Sequence, residues 1–388
     1  MAKGTIVLTR MLALIPPEFF DKLVTQHQVN KGVRKLTANA HLAVMLFAQL
    51  AGLPSLRSIE QATAALTATQ RRSGLLPTRR STLAEANLRI PWMFYRDLFL
   101  GLLNTMKDRF PRHKFDLPGK LFSLDSTVIP LCLSLHRWAE YTTRKGGMKL
   151  HTLLDHDGYI PSVIRVTAAR VHDIAEGRKF TFHKGDTLLF DRGYFDSAWF
   201  AKLCRQGVFF VTRIKRNIGF EYTERRQVKR KDGIRGDWIG CLTGTCAALC
   251  PVPLRLVRFI DPNTGEEFEF LTNLLDVDAR VITDLYRQRW QIESFFKWIK
   301  QNLKIKTYLG TDQNAVLVQI WIAMIAYLLV RMVQRNAPKK AITTHGLMIF
   351  IAVNILIEIP LCYAWQGFQR TKRKRNQRKK SQPRSRNG

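Results

Sequence analysis

The sequence predicts a mixed α/β protein in which a helical region precedes a sheet. Three observations carry that expectation. From about residue 116, apolar and β-branched runs replace helical spacing. Asp157-Gly158 joins two of these runs as a hairpin. Strand and helix signals then alternate, as in βαβ units with parallel neighbours.

Taken in order, residues 1–115 read as mainly helical. Pro16 and Pro17 open a helix carrying Phe19, Phe20, Leu23 and Val24. Residues 41–50 are almost all apolar and stop at Gly52 and Pro54. Residues 58–69 and 81–88 are further helical candidates, with Arg71, Arg72, Arg79 and Arg80 around the turn between them. Such a unit suits DNA binding, or a plain helical bundle with a solvated Arg face. No helix-turn-helix stands out from the sequence.

The strands expected next are 121–131, with Asp125 inside, then 149–154 and 159–167. A short helix at 171–182 precedes a strand at 187–190 that runs into Asp191. A helix at 197–205, with Asp196 as its N-cap, leads to a strand at 208–214. Residues 214–275 break the rhythm as a β-rich insertion, with strands at 254–260 and 268–271. Helix returns at Val281, after Asp276 or Asp278. The expected division is a helical unit at 1–115, a core at 116–335 holding that insertion, a helical region at 336–369, and an unfolded basic tail at 370–388.

The chain has 388 residues and a net charge of +32. Ten of its Lys and Arg residues lie in the tail, so most of the surplus is spread over the folded part. That balance favours a polyanion, most simply nucleic acid, with a membrane surface as the competing partner. Cys241, Cys246 and Cys250 lack an obvious fourth ligand, and reduced thiols in a cytoplasmic protein are expected. No secretory leader is expected, because the apolar run at 11–15 stops at Pro16. The apolar stretches at 315–330 and 347–365 are expected as buried helices rather than membrane spans. No Gly-rich phosphate loop is present.

Residues 286–300 hold one carboxylate, Glu293, among Arg and Lys. On a helix, Tyr286, Arg289, Glu293, Lys297 and Lys300 fall within roughly 80° of arc. Leu285, Ile292, Phe295, Phe296 and Ile299 fill the neighbouring arc. Alone, the stretch also fits a surface helix with a few ion pairs. Asp125, however, is a charge inside an apolar strand, and Asp191 ends another. In the expected topology those two strands become neighbours, and a helix packed across them brings in Glu293. Three carboxylates so placed would repel unless hard divalent cations, Mg²⁺ or Mn²⁺, bound there. His151 and the pair His172-Asp173 read as structural or solvated, and Asp155 and Asp157 as turn residues.

The series Tyr286, Arg289, Glu293 and Lys300 resembles the Tyr-Arg-Glu-Lys signature of insertion-sequence-4 family transposases. Asp125 in LDST and Asp191 in FDRGYFD resemble that family's two catalytic aspartates, and residues 11–69 and 80–87 resemble its amino-terminal region. The resemblance implies a ribonuclease-H-like core with a β-strand insertion between the second Asp and the Glu. It implies Asp125, Asp191 and Glu293 as catalytic metal ligands for two ions, and Tyr286, Arg289 and Lys300 as contacts to end DNA, with Lys297 assisting. Relatives stack a flipped base on an insertion-domain Trp. Trp238 is the candidate here, and a structural hairpin aromatic is the other reading. The implied activity is cleavage at transposon ends and strand transfer into target DNA, by a homodimer in the bacterial cytoplasm, nucleoid-associated and with no membrane. A nuclease without strand transfer and a non-catalytic DNA-binding protein are the rival readings.

Overall fold

The computed structural model describes residues 5–71, 74–106, 110–131, 138, 140–142, 145–228, 233–302, 309–335 and 343–363. Arg72 and the tail at 370–388 lie outside these residues. The chain divides into two compact units, one from 109–297 and one joining 1–108 to 298–388.

The 109–297 unit is built on one sheet. Its strands are β1 (Leu121–Leu131), β2 (Glu140–Thr142), β3 (Lys145–Asp155), β4 (Ile160–Ala168), β5 (Thr187–Phe190), β6 (Phe209–Arg213), β7 (Phe220–Arg225), β8 (Ile234–Leu242), β9 (Leu254–Ile260) and β10 (Glu267–Thr272). Their order is β2-β3-β1-β5-β6-β10-β9-β8-β7, with β4 paired to β3. β1 pairs β5, and β5 pairs β6, in parallel. The other pairings are antiparallel.

The sequence patterns explain this layout. β5 is four apolar or β-branched residues, TLLF, buried on both faces as a central parallel strand must be. The crossover from β5 to β6 is the helix Ser197–Arg205, whose N-cap Asp196 accepts a bond from Trp199 N. Phe190, Phe200 and Phe210 from these three elements stack with centroids 4.6–6.0 Å apart. The insertion continues the same sheet, because β10 pairs β6 through Phe270↔Arg213, Leu271↔Thr212 and Thr272↔Val211. Inside it, the buried Arg255 guanidinium pairs with Asp237 at 2.7 and 2.8 Å and donates to the carbonyls of Leu274, Leu275 and Val277. This fully bonded charge ties the insertion strands to the segment leading into the next helix, Ala279–Gln288.

Three expectations about this unit change. Residues 286–300 are two helices, Ala279–Gln288 and Trp290–Asn302, meeting at Arg289. There the bonds Arg289 N to Tyr286 O and Ile292 N to Arg289 O tighten the turn, so a single helical projection does not hold through it. The helix expected at 171–182 is only Asp173–Gly177, since i→i+3 turns follow and Phe180 and Phe182 turn into the core. Strands β7 and β8 also lie in the insertion, where the sequence singled out only 254–260 and 268–271.

The other unit is helical. Its axis is Gln313–Arg335, buried along most of its length and packed on Ala38–Ala51, Arg80–Arg89, Trp92–Met106 and Thr344–Asn354. This helix was expected in the 116–335 core. Its all-round apolar surface instead fills the helical unit. Trp321 lies parallel to Trp92 at 6.5 Å. Asn314 clamps a helix end: its Nδ2 donates to the carbonyls of Asn87 and Ile90, and its Oδ1 accepts from Trp92 N. Among the described residues only Gln313–Arg335 is a single helix long and apolar enough to cross a membrane, and 89% of its most apolar window is buried in the fold. The stretch expected as a second buried helix is Thr344–Asn354, and its Ile349 and Val353 are exposed.

Two helices of this unit meet at a sharp corner. Ala38–Ala51 ends at Gly52, which takes φ 70° as a left-handed cap. Four residues, Gly52-Leu53-Pro54-Ser55, lead into Leu56–Ala64. Ser55 caps that helix in a reciprocal box with Ser58, and the axis turns by 105°.

His41 is fully buried on Ala38–Ala51. Tyr95 OH donates to its Nδ1 at 2.5 Å, and its Nε2 donates to Asn87 Oδ1 at 2.9 Å. Both bonds suit the neutral ring. Burial, the main cause, lowers its pKa from 6.5 to about 4. The unfolded chain therefore binds a proton first as pH falls, and stability is lost from pH 6.5 down to about 4. Urea unfolding should show His41 costing about 2 kcal/mol between pH 7.5 and pH 5. His41→Gln should lose that part of the pH dependence, and an equal slope in both proteins would contradict it.

Candidate active site

Pairing register creates the site. The parallel ladder between β1 and β5 ends at Leu124↔Phe190. The next residue on each strand is an aspartate, Asp125 and Asp191. Adjacent strands lie about 4.8 Å apart, so the two carboxylates leave the sheet side by side, Asp191 at the carboxyl end of β5 and Asp125 in the middle of β1 where the ladder stops. Asp191 caps a short 3-10 turn, Arg192–Tyr194, by accepting from Gly193 N at 2.7 Å.

Glu293 arrives on Trp290–Asn302, one turn after Arg289. The Arg289 guanidinium lies between carboxylates, with Nη2 2.5 Å from Glu293 Oε1 and Nη1 3.5 Å from Asp125 Oδ2. The structure thus brings Asp125, Asp191 and Glu293 together with Arg289. The Asp125 carboxyl is pushed up to about 7, first by burial, with Asp191 and Glu293 adding repulsion. Arg289 and the Ser126 N–H, which donates to Asp125 at 2.8 Å, work in the opposite direction. Burial is the largest of these effects, so the carboxyl stays raised despite Ser126 and Arg289.

Tyr286 packs on Phe270 at 4.8 Å, and Arg289 lies 5.6 Å over its ring. Burial raises the Tyr286 pKa. Lys297 is exposed on the Glu293 helix, and Lys300 is on that helix beyond the point where the compact units divide. Trp238 packs elsewhere, with contacts to Tyr222 at 5.1 Å and Arg258 at 5.5 Å. A cavity of about 570 Å³ instead opens beside Tyr286 and Arg289. Phe259, Phe268, Phe270 and Trp290 supply its aromatic walls, and Arg213 and Arg287 line it together with their ion-pair partners Glu266 and Asp261. Trp290 is 63% exposed.

One acidic neighbour of the site, Asp173, reads from the sequence as structural or solvated. Ser126 Oγ donates to Asp173 at 2.7 Å, and Lys149 Nζ lies 3.2 Å from the same carboxylate. Burial raises the pKa of the Tyr194 hydroxyl, and the nearby charges of Asp125, Asp173 and Asp191 add to the effect. The hairpin held a clue, since β3–β4 pairing sets Lys149 opposite Thr167, six residues before Asp173.

The donors are carboxylate oxygens, the hard ligands that Mg²⁺-type ions take. The buried Nε of Arg289 has no hydrogen-bond partner among the described residues, which leaves a donor for an anion. As they stand, no three His, Cys, Asp or Glu side chains among the described residues are arranged to hold an ion. Arg289 lies between Asp125 and Glu293 and pairs with both, so the donor set matches a divalent ion in its chemistry but not in its present arrangement.

An acidic cluster where a parallel strand pair of a mixed sheet ends, beside a β-strand insertion, is the arrangement of the ribonuclease-H-like class of DNA-processing enzyme. The family model described as Transposase DDE domain matches residues 117–329, more than half the chain. A protein of Sinorhizobium fredii assigned as transposase y4zB is 37% identical over 270 residues, covering 69% of this chain and 74% of the relative. The protein assigned as transposase of insertion sequence element IS5377 from Geobacillus stearothermophilus is 30% identical over 292 residues, covering 74% and 76%. The piggyBac transposase synaptic complex with hairpin DNA superposes with a TM-score of 0.50 at 10% identity, covering 98% of this chain and 86% of that one. That likeness bears on the fold alone. The chain belongs to the DDE transposases, enzymes that cleave DNA, transfer strands and use divalent metal ions. Residues 3–75 match a domain of unknown function.

Arg289→Ala would leave Asp125 and Glu293 facing each other without a cation. The cost should be about 1–3 kcal/mol, a melting point lower by several degrees in EDTA. Millimolar Mg²⁺ should then raise the melting point more than it does in the unmodified protein. An equal Mg²⁺ response in both would contradict the fit.

Proposed function

We propose that this transposase excises a mobile element bounded by inverted repeats and inserts it elsewhere, by the cut-and-paste route. The observation that carries the reading is the meeting of Asp125 and Asp191 at the end of one parallel ladder, with Glu293 brought to them through Arg289. On this reading the three carboxylates hold two Mg²⁺ or Mn²⁺ ions. Such ions lower the pKa of a bound water or 3′-hydroxyl and neutralise the leaving oxygen.

The chain's own groups account for the rest. Arg289 releases Asp125 and Glu293 and turns its fork, with the free Nε, to the end phosphate. Tyr286 holds that guanidinium from below. Lys297 and Lys300 add positive charge along the helix for the same strand, in keeping with the Tyr-Arg-Glu-Lys signature. Water is the first nucleophile at phosphorus, and the freed 3′-hydroxyl is the second, so no covalent protein–DNA bond is needed. The working form is a dimer holding two ends, in the bacterial cytoplasm.

Glu293→Gln is nearly isosteric, so it should keep binding to end DNA within about threefold while abolishing excision from a donor plasmid. A loss of about 10³-fold or more is expected for a group that acts on the reacting centre. Retained excision would remove Glu293 from the chemistry.

A base unstacked at the cleavage point fits the cavity beside Arg289 better than it fits Trp238. Base–aromatic stacking contributes about 1–3 kcal/mol per base. Trp290→Ala should therefore slow cleavage about 10- to 100-fold, and 2-aminopurine at the terminal positions should stay brighter in that variant than in the unmodified complex. If Trp238→Ala gives that fluorescence change and Trp290→Ala does not, the assignment is reversed.

A further inference from the structure

The corner between Ala38–Ala51 and Leu56–Ala64 has a geometry that the rest of the function does not use. A turn of 105° over four residues, with a left-handed glycine at its start, matches the helix-turn-helix arrangement of two helices at about 90–120° joined by three or four residues. The first helix is buried on almost every side. The second is buried on one side only, through Ile59 and Thr63, both 0% exposed. At 100° per residue, Arg57, Gln61 and Ala64 lie within roughly 60° of one another, opposite that buried pair. All three are exposed.

Charge fits the same face. The one acid on the second helix, Glu60, is engaged: its Oε1 accepts from Arg80 N at 3.2 Å, at the start of Arg80–Arg89. That bond sets the exposed Arg79 and Arg80 beside the corner. Thr78 N donates to Thr63 Oγ1 at 3.2 Å, fixing the strap between the two helices. The second helix thus presents an arginine, a glutamine and a small residue outward, with arginines flanking it. Arginine pairs in bidentate fashion with guanine, glutamine with adenine, and a small side chain allows close approach to a groove floor.

We propose that residues 38–64 are a helix-turn-helix whose second helix, Leu56–Ala64, enters the major groove of duplex DNA, with Arg57 and Gln61 reading base edges and Arg79 and Arg80 on neighbouring phosphates. This rests on the reading that the chain acts at DNA ends. It gives the domain of unknown function a role, sequence-specific recognition of the duplex next to the cleavage point.

The test is selection of bound duplexes from a library with a randomised core, using the full chain. The unmodified protein is compared with Arg57→Ala, Arg57→Lys and Gln61→Ala, each first shown to melt as the unmodified protein does. The unmodified protein should enrich one motif. Both Arg57 variants should lose a G·C preference at one position, about 10- to 100-fold, because lysine keeps the charge without the fork. Gln61→Ala should relax a neighbouring position. An unchanged motif in all three variants, or no motif from the unmodified protein, overturns the helix-turn-helix. Mg²⁺-dependent nicking of plasmid DNA by the unmodified protein but not by Asp125→Asn tests the function separately. If that nicking is absent, the reading of the active site falls, whatever the library shows.

Discussion

The site depends on one pairing, the short parallel ladder between β1 and β5. Four residue pairs set it, from Leu121↔Thr187 to Leu124↔Phe190. A slip of one residue would turn Asp125 to the opposite face and part it from Asp191. What fixes the register is packing beneath it. Phe190 sits against Trp199, Phe200 and Phe210, and Leu124, Leu188 and Phe190 are fully buried in the same core. Apolar burial thus does the positioning, and the two acids stand where that burial ends.

Electrostatics then decides what the site accepts. A carboxylate in a half-buried position costs free energy unless it gains a partner, and at Asp125 burial outweighs the help from Arg289 and Ser126. One guanidinium cannot balance Asp125, Asp191 and Glu293. The deficit is local, although the chain as a whole carries +32. A basic protein with an acidic pocket draws the nucleic-acid backbone to its surface and leaves the pocket short of positive charge.

Much of this was legible in the sequence, and the limits have physical causes. β1 and β5 were readable to the residue because both are runs rich in apolar and β-branched residues. Asp125 and Asp191 stood out as charges where such runs carry none. Glu293 was readable from its spacing to Tyr286 and Arg289. The break at Arg289 was not, because a change from i→i+4 to i→i+3 bonding leaves composition unaltered. The placing of Gln313–Arg335 with the helical unit was not readable either, since an apolar helix fits any core and only its partners across the chain decide. The corner at 52–55 was visible as Gly and Pro, but as the end of a helix. The angle that follows it depends on tertiary packing of Ile59 and Thr63.

The insertion has a consequence for how such chains diverge. The sequence leaves the core sheet after β6 and returns on β10, and these two strands are hydrogen-bonded neighbours. Departure and return are thus stapled together by Phe270, Leu271 and Thr272. Everything between them hangs from the far side of that staple, as β9, β8 and β7 in sequence across the sheet. Strands can be gained, lost or exchanged there without altering where the chain sets off toward Arg289 and Glu293. The staple uncouples the length of the insertion from the spacing of the acids, so descendants of this fold are free to remodel one while inheriting the other.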